Sequence, residues 1–206
     1  RGLLLAVDKG EFGLLRIVSR AVREMSEGEL LQLEKARGLN FSEEVYFDII
    51  RQKTASLIAA CCASGAAAAG QGEETVERMR RFGEHVGIAF QIKDDLFDYG
   101  EGVGTGKPTG LDIKEKKLTL PLIHALRQVP KADRRWMVDV VKNRSSDSAS
   151  VLRVVAKVAE AGGIDHARKR MLEHRDLALA ILHGFPRNEA RDGLEGLVQL
   201  TVERTK

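Results

Sequence analysis

A long stretch with helical periodicity, residues 73 to 98, limits what this chain can fold into more than any other part. Apolar side chains recur along it every three or four residues, and it ends in the acidic run Asp94-Asp95-Leu96-Phe97-Asp98. On a helix, Asp94 and Asp98 lie one turn apart, and Asp95 sits about 100° round from Asp94. Like charges at this spacing repel, so a hard divalent cation such as Mg²⁺ is the expected partner. A solvated acidic helix end is the alternative that this segment alone leaves open.

Composition favours an all-α fold in one domain. Aromatic residues make up only 5% of the 206 residues and charged residues 31%, with many Ala, Leu, Glu, Lys and Arg, which are good helix formers. A chain of this length can bury one sizeable core, and no stretch is typical of a linker. Residues 1–206 are therefore expected to form a single helical domain.

Charge and cysteine usage argue against several classes of protein. The net charge is +3, and basic residues are interleaved with acidic ones, which disfavours a nucleic-acid binder. Cys61 and Cys62 are adjacent in an alanine-rich stretch, which indicates buried thiols in a reducing cytosol rather than a metal site or a disulfide framework. No apolar run reaches membrane-spanning length, so a cytoplasmic protein without a membrane span is expected.

Local signals place the remaining helices. Ser42 before two glutamates predicts an N-cap, as does Thr119 before Pro121. Gly28 interrupts a helix from residue 12 to about 35, and it marks a point where another backbone can approach closely. The small residues of 63–70 predict a second such point. Four further helices are expected at 131–143, 148–161, 165–183 and 187–204.

Three histidines in the last part of the chain, His166, His174 and His183, have no carboxylate or cysteine partner at metal-ligand spacing. They are interpreted as surface or capping residues. Trp136 is interpreted as a packing or interface residue.

Lysines stand at three points that a helix bundle could bring towards the aspartates. Lys53 lies within a helix, Lys107 in a glycine-rich loop, and Lys117 just before Thr119. An interior lysine is costly unless it is paired, and carboxylates on Mg²⁺ facing lysines describe a site for a diphosphate. The loop fails the Walker pattern, because Pro108 follows Lys107. Acyl transfer is disfavoured, since no Ser-His or Cys-His pair is visible.

Several segments, taken together, resemble one family. Residues 87–98 are similar to the second aspartate-rich motif of the trans-type isoprenyl diphosphate synthases, the head-to-tail prenyltransferases, including bacterial octaprenyl and geranylgeranyl types. Lys53-Thr54-Ala55 resembles the lysine-threonine motif of that family, residues 28–33 an earlier helix motif, and residues 106–112 its flexible loop. Residues 117–121 resemble the segment after the loop, with Lys116 where a glycine is more usual.

The resemblance implies an isoprenoid-synthase helical bundle and a reaction. Mg²⁺ bridges the aspartates to an allylic diphosphate, which ionises to an allylic carbocation; isopentenyl diphosphate attacks it and a proton is lost. The roles that carry over are metal binding by Asp94 and Asp95 with support from Asp98, and diphosphate binding by Lys53, Lys107 and Lys117. Thr54 and Gln91 would face the carbocation, Phe90 would contact the isopentenyl unit, and Gln32 would form a wall of the allylic site.

The family's first aspartate-rich motif, and the basic residues that bind isopentenyl diphosphate, do not occur in this sequence. We expect that the N-terminal part of the family's chain is missing and that these 206 residues alone do not catalyse condensation, although a full-length parent would. The resemblance further implies a homodimer and favours a long polyprenyl product for a quinone side chain. Two alternatives stay open: a non-catalytic partner subunit of a heteromeric prenyl synthase, and a terpene cyclase on the same fold.

Overall fold

The computed structural model describes residues 2–38, 42–100 and 109–205, and every regular element in these ranges is a helix, which confirms the all-α prediction. The helices are α1 (Gly2–Asp8), α2 (Phe12–Gly38), α3 (Glu43–Ile50), a π-helical turn (Arg51–Ala55), α4 (Ser56–Ala68), α5 (Glu73–Phe97), α6 (Leu111–Lys114), α7 (Leu120–Gln128), α8 (Lys131–Asn143), α9 (Ser148–Glu160), α10 (Gly163–His183) and α11 (Glu189–Glu203).

Helix α5 is the central element, and it contacts α3, α4, the π-helical turn, α7, α10 and α11. Its C-terminal half is apolar on the side that faces these neighbours, where Ile88, Ile92 and Leu96 are buried in the main core. The predicted helix over residues 73–98 is therefore confirmed to within one residue. Because the last turn of α5 carries the aspartates, the core fixes where those carboxylates lie.

Two glycines allow the helices around the site to approach each other closely. A Cβ at Gly28 would come within 2.7 Å of the Lys53 backbone nitrogen, and one at Gly87 within 2.5 Å of the Ala55 Cα. Helices α2 and α5 therefore both pack directly against the π-helical turn. The close approach predicted for residues 63–70 lies earlier in α4, since a Cβ at Gly83 would meet the Ala59 Cα at 2.8 Å whereas one at Gly65 would meet nothing within 4 Å.

The π-helical turn is an irregularity in the chain between α3 and α4. The backbone N–H of Ser56 donates to the carbonyl of Arg51, five residues earlier, where an α-helix would use a four-residue spacing. Such single π turns in helices are found frequently at functional sites. Here the turn carries Lys53 and Thr54.

A second core joins helices α7, α8 and α9, with Met137, Val140 and Val154 fully buried. The predicted helix over residues 131–143 has those ends, and the other three predicted C-terminal helices differ by at most two residues at each end. Trp136 packs against this core and lies 4.7 Å below the guanidinium of Arg153, which confirms its packing role.

The predicted N-caps have different outcomes. Ser42 caps α3, because its side chain accepts a hydrogen bond of 3.1 Å from the Val45 N–H. Thr119 precedes α7 but does not cap it with its side chain; the Thr119 hydroxyl is buried and lies 2.7 Å from the hydroxyl of Tyr99. The competing tertiary hydrogen bond thus overrides the local one.

The prediction of buried cysteines is wrong for Cys61, which is exposed, while Cys62 is half-buried. Ala59, Ala60 and Ala63 occupy the buried side of α4, and Cys61 lies outside that side. None of the described helices combines the length and apolar character that crossing a membrane requires.

The histidine interpretation also needs correction. His166 and His174 are half-buried and have partners: His166 lies 3.0 Å from a Glu43 carboxylate oxygen, and His174 lies 3.1 Å from His85 between ring nitrogens. These contacts join residues 89 or more positions apart, so sequence spacing along one helix could not reveal them. His183 is more exposed, as predicted, in the last turn of α10.

Candidate active site

A cavity of about 370 Å³ opens between α2, α3 with its π-helical turn, α5 and the segment before α7. Its walls carry acidic and basic side chains together with apolar and neutral polar ones. The lining residues are Gln32, Lys35, Tyr46, Ile49, Ile50, Lys53, Thr54, Gln91, Asp94, Asp95, Asp112, Lys116, Lys117, Leu118 and Thr119.

The structure brings together most of the site residues named from the sequence. Seven of them line this one cavity: Gln32, Lys53, Thr54, Gln91, Asp94, Asp95 and Lys117. Asp98 and Phe90 are described but are not among the lining residues. Lys107 lies outside the described residues.

Asp95 is the most buried carboxylate of the cavity, with 6% of its surface exposed. One of its oxygens accepts a hydrogen bond of 2.7 Å from the Tyr46 hydroxyl, and the other accepts one of 3.0 Å from the side-chain amide of Gln91. Burial raises the pKa of Asp95 to about 7, and the two hydrogen bonds oppose that rise. A cation bound beside Asp95 would relieve the cost of its buried charge.

A chain of hydrogen bonds orients the polar wall of the cavity. The Thr54 hydroxyl donates to the Gln91 side-chain oxygen at 2.8 Å, and the Gln91 amide group donates to Asp95. Since a carboxylate only accepts hydrogen bonds, this arrangement fixes which end of the Gln91 amide faces Thr54. Sequence reasoning found Thr54 and Gln91 but missed Tyr46, which has the periodicity of an ordinary core residue.

Asp98 shapes the site from outside the cavity. Its carboxylate accepts hydrogen bonds from the backbone N–H groups of Leu111 at 2.7 Å and Asp112 at 3.1 Å, at the start of α6. Burial raises the pKa of Asp98. These bonds hold Asp112 at the cavity wall, so Asp112 supplies a third lining carboxylate that sequence reasoning assigned only to the loop.

Asp94 faces the cavity from the exposed end of α5 and has a cationic partner. The Arg204 Nη2 lies 2.5 Å from Asp94 Oδ1 and donates to the Phe90 carbonyl at 3.1 Å. The guanidinium also lies over the Phe90 ring, 4.0 Å from its centroid. Phe90 is thus covered by Arg204, which is why its ring is not part of the lining. Asp94 and Arg204 are 110 positions apart, which explains why no local pattern indicated the pair.

Lysines face these carboxylates. The Lys53 ammonium donates to the Gln32 side-chain oxygen at 2.9 Å and lies 2.7 Å from a Glu29 oxygen. Lys117 lies 3.2 Å from Asp112 and 2.6 Å from Glu115, and the hydrogen bond to Glu115 is the main cause that raises the Lys117 pKa to about 12. The Lys117 ammonium therefore stays protonated at neutral pH.

Lys116 adds another charge to the wall and has an unusual backbone. Its φ is +58°, in the left-handed region where non-glycine residues are uncommon. The family resemblance points to glycine at position 116, and the positive φ explains this, because glycine adopts the left-handed region without strain. The lysine side chain also lines the cavity.

The donor set fits Mg²⁺ held jointly with a phosphate ligand. Among the described residues, no group of three or more His, Cys, Asp or Glu side chains converges closely enough to hold a metal ion. Mg²⁺ is commonly bound by one or two carboxylates plus substrate phosphate oxygens and water. Asp94, Asp95 and Asp112 around one cavity, facing lysines that suit phosphate, match that pattern.

The chain belongs to the polyprenyl synthetase family, whose model matches residues 3–158. The all-trans-nonaprenyl-diphosphate synthase of Rhodobacter capsulatus is 34% identical over 207 aligned positions, which cover 99% of this chain and 62% of that protein. The octaprenyl diphosphate synthase of Escherichia coli is 31% identical, covering 100% of this chain and 64% of that protein. The chain therefore spans less than two thirds of the length of these relatives.

Solved structures share the fold. The polyprenyl synthase of Caulobacter crescentus, complexed with calcium and isoprenyl diphosphate, superposes with a TM-score of 0.90 at 35% identity, over 98% of this chain and 62% of that chain. The geranylgeranyl pyrophosphate synthase of Bacteroides thetaiotaomicron gives a TM-score of 0.90 at 37% identity, over 98% and 67%. The helical arrangement described above is thus that of the isoprenyl synthases.

Proposed function

We propose that the full-length protein is a trans-polyprenyl diphosphate synthase that condenses isopentenyl diphosphate with an allylic diphosphate, and that residues 1–206 form part of its one helical domain. The observation that carries this proposal is the single cavity in which Asp94, Asp95 and Asp112 face Lys53 and Lys117. Carboxylates and lysines in that arrangement suit a metal-bound diphosphate.

The lysines would hold the leaving diphosphate. Lys53 and Lys117 are each tied to a neighbouring oxygen, so their ammonium groups are already positioned at the cavity wall. Lys107 would join them from the loop. Mg²⁺ at Asp94 and Asp95 would neutralise the diphosphate and favour its departure. Asp98 would support the metal indirectly, through the backbone of Asp112.

The polar wall would then stabilise the carbocation that ionisation leaves. The Thr54 hydroxyl donates its hydrogen bond to the Gln91 side-chain oxygen, so the lone pairs of the Thr54 oxygen are available to the positive charge. Gln91 is held by Thr54 and Asp95, which orders its dipole before the substrate binds. Preorganised dipoles of this kind cost no reorganisation at the moment of reaction. Gln32 would form a wall of the allylic site, and Phe90 would contact the isopentenyl unit.

Labelled isopentenyl diphosphate tests this proposal in the full-length protein with Mg²⁺ and an allylic primer. A synthase incorporates the label into a longer, extractable product in a primer-dependent way. A terpene cyclase would consume the primer without incorporating label, and a non-catalytic partner subunit would do neither by itself. Residues 1–206 alone are expected to show no incorporation, and elongation by this fragment would contradict the expectation that the site is incomplete.

The product is proposed to be a long polyprenyl chain for a quinone side chain, in keeping with the nonaprenyl and octaprenyl synthases among the relatives. Mass spectrometry of the product, after removal of its diphosphate, measures the number of five-carbon units. A product of twenty carbons or fewer would contradict this part of the proposal.

A homodimer is proposed through α1 and α2. These two helices expose large apolar side chains with no partner in the described part of the chain to cover them: Leu4, Leu5, Val7, Phe12, Val22, Leu30 and Leu33. Burying such a surface between two copies would stabilise the pair. Light scattering of the full-length protein tests the dimer, and Leu30→Asp should shift it towards the monomer; an unchanged mass would place the interface elsewhere.

A further inference from the structure

Arg204 reaches the cation site from the far end of the chain. It follows the last residue of α11, and its guanidinium contacts Asp94, the Phe90 carbonyl and the Phe90 ring together. Only 18% of the Arg204 side chain is exposed, compared with 40% of the Asp94 side chain. The contact is therefore a partly buried ion pair, held by several contacts, rather than a solvent-exposed surface pair.

The pair places a permanent positive charge on the carboxylate to which the metal is assigned. Guanidinium does not lose its proton in proteins, so this charge cannot be removed by pH. A divalent cation that approaches Asp94 meets both the repulsion of Arg204 and the loss of one carboxylate oxygen to a strong hydrogen bond. Metal and arginine thus compete for the same group.

We propose that Arg204 is an internal counter-cation that occupies Asp94 while the metal site is empty and that a divalent cation must displace. The proposal rests on the metal role of Asp94 in the proposed function. The contact of Arg204 with Asp94 would then set the affinity of the site for the cation. Binding of the cation would in turn release Arg204 at the end of α11.

The local structure permits such a release without unfolding α11. Arg204 itself has an extended backbone beyond the helix, with φ of −53° and ψ of 139°. Val202 anchors the last turn in the main core with 5% exposure. Rotation of the Arg204 side chain breaks its hydrogen bonds to Asp94 and Phe90, and the weaker one of 3.3 Å to the Thr201 carbonyl can be kept or lost.

Cation titration tests the competition directly. Binding of Mn²⁺, without diphosphate, is measured by electron paramagnetic resonance in the full-length protein and in Arg204→Gln. The matched control is Arg187→Gln, which removes the same charge from an exposed pair with Asp192. Losing one charge-assisted hydrogen bond from the competing state corresponds to roughly a tenfold tighter dissociation constant in Arg204→Gln. Arg187→Gln should bind as the wild type does.

An Asp94→Asn background separates the failure of this proposal from failure of the metal assignment. If Asp94 binds the cation, Asp94→Asn weakens Mn²⁺ binding, and adding Arg204→Gln to it produces no further gain. If Asp94→Asn leaves Mn²⁺ binding unchanged, the metal role of Asp94 fails. If Asp94→Asn weakens binding but Arg204→Gln alone weakens it or leaves it unchanged, Arg204 does not compete and the present proposal is overturned.

Hydrogen exchange provides a second readout that does not depend on affinity. Mg²⁺ should accelerate amide exchange of residues 203–205 of the wild type, because these residues follow the Val202 anchor and lose the Arg204 contact that ties them to α5. In Arg204→Gln the same amides should exchange rapidly with or without Mg²⁺. Protection of this segment on adding Mg²⁺ to the wild type would contradict the displacement.

Discussion

Helices α3 and α5 present charged side chains on two different faces. The two faces differ in how fully those charges are paired with groups of the opposite sign. In the cavity, three carboxylates lie together and lysines stand around them. On the other face, a groove of about 610 Å³ between α3, α5 and α10 also contains many charges. There, however, Glu43 is paired with Arg170 and lies 3.0 Å from a ring nitrogen of His166, and Arg170 covers the Phe47 ring at 4.9 Å.

This difference teaches that the amount of charge does not identify a site. The groove pairs unlike groups with each other, which stabilises the contact of α3 with α10. The cavity pairs Asp94 with Arg204 and Asp112 with Lys117, but Asp95 is buried there between the Tyr46 hydroxyl and the Gln91 amide, which carry no charge, and its ionisation is disfavoured. A buried carboxylate of this kind in a cleft indicates a site where a ligand can supply the missing charge.

The largest expected effect comes from Asp94→Ala in the full-length protein. Loss of the carboxylate proposed to bind the metal should lower turnover by roughly a thousandfold while the fold stays intact, because the proposed reaction depends on electrostatic stabilisation. Primer-dependent incorporation of isopentenyl diphosphate and circular dichroism measure the two quantities. Asp139→Ala, which removes an exposed carboxylate paired with Arg144 on α8, serves as the control and should keep wild-type turnover. Near-normal activity of Asp94→Ala would show that Asp94 in the cavity matters no more for turnover than a carboxylate outside it.

The next effect concerns the hydroxyl that supports Asp95. Tyr46→Phe leaves the buried carboxylate with one donor fewer, so the free energy of unfolding should fall by about 2 kcal/mol and the Mg²⁺ affinity by about tenfold. Tyr99→Phe is a matched control, because its buried hydroxyl pairs with Thr119 at 2.7 Å and not with Asp95. We expect Tyr99→Phe to lower stability and leave Mg²⁺ affinity unchanged. Equal Mg²⁺ affinities for Tyr46→Phe and wild type would show that Tyr46 only packs.

The groove should respond to pH in the opposite direction from the cavity, where the raised pKa of Asp95 makes stability fall as pH rises from about 4 to 7. Burial lowers the pKa of His174 to about 4, with a further contribution from neighbouring His85, whose own pKa is also lowered by burial. The unfolded histidine has a pKa of about 6.5 and binds a proton first, so stability rises with pH and is lost as pH falls from about 6.5 to 4. Urea unfolding across this range measures the loss, which should be on the order of 1 kcal/mol after screening by solvent. His174→Gln should remove this contribution, so that stability rises less with pH than it does in the wild type; an unchanged slope would assign the contribution to other groups.

The smallest effect is expected at the edge of the cavity. Lys116→Gly relieves a left-handed backbone at φ +58°, a strain of about 1 kcal/mol that is partly offset by the greater freedom of glycine in the unfolded chain. The free energy of unfolding should therefore rise by roughly 0.5 kcal/mol or less. Lys116→Ala, which removes the same charge and keeps the strain, distinguishes the backbone effect from the electrostatic one. Equal stability of the two variants would show that no strain is relieved.

Much of this structure could be predicted because its signals are local. Ser42 and its glutamates mark the start of α3, and the periodicity of residues 73–98 places Asp94 and Asp95 at the end of a helix. Lys53, Thr54 and Gln91 were found through motif resemblance, and they do line one cavity. Motifs work here because each one lies within a single helix, whose geometry is fixed by the chain itself.

The remaining features depend on contacts between distant segments. The Thr119 hydroxyl could cap its own helix or bond to Tyr99, and only packing decides between them. Tyr46 follows the apolar periodicity of α3, so nothing in its spacing distinguishes a support for Asp95 from a core residue. Arg204 and Asp94 meet only because α11 packs against α5. Such pairs of residues on different helices cannot be predicted from patterns within one helix.

The π-helical turn has a consequence for how this site tolerates insertions and deletions. The turn accommodates one residue more than an α-helical turn would between Arg51 and Ser56. The extra residue is accommodated locally, so the helical faces before and after the turn keep their alignment, with Tyr46 on Asp95 and α4 on α5. Deleting one residue from 51–55 would restore the α-helical spacing and keep that alignment, whereas inserting one would rotate the side chains before it by about 100° relative to those after it unless a second irregularity absorbed it. The overall alignment of the two walls should therefore survive the loss of one residue better than the gain of one, although a deletion would displace Lys53 and Thr54 from the cavity wall.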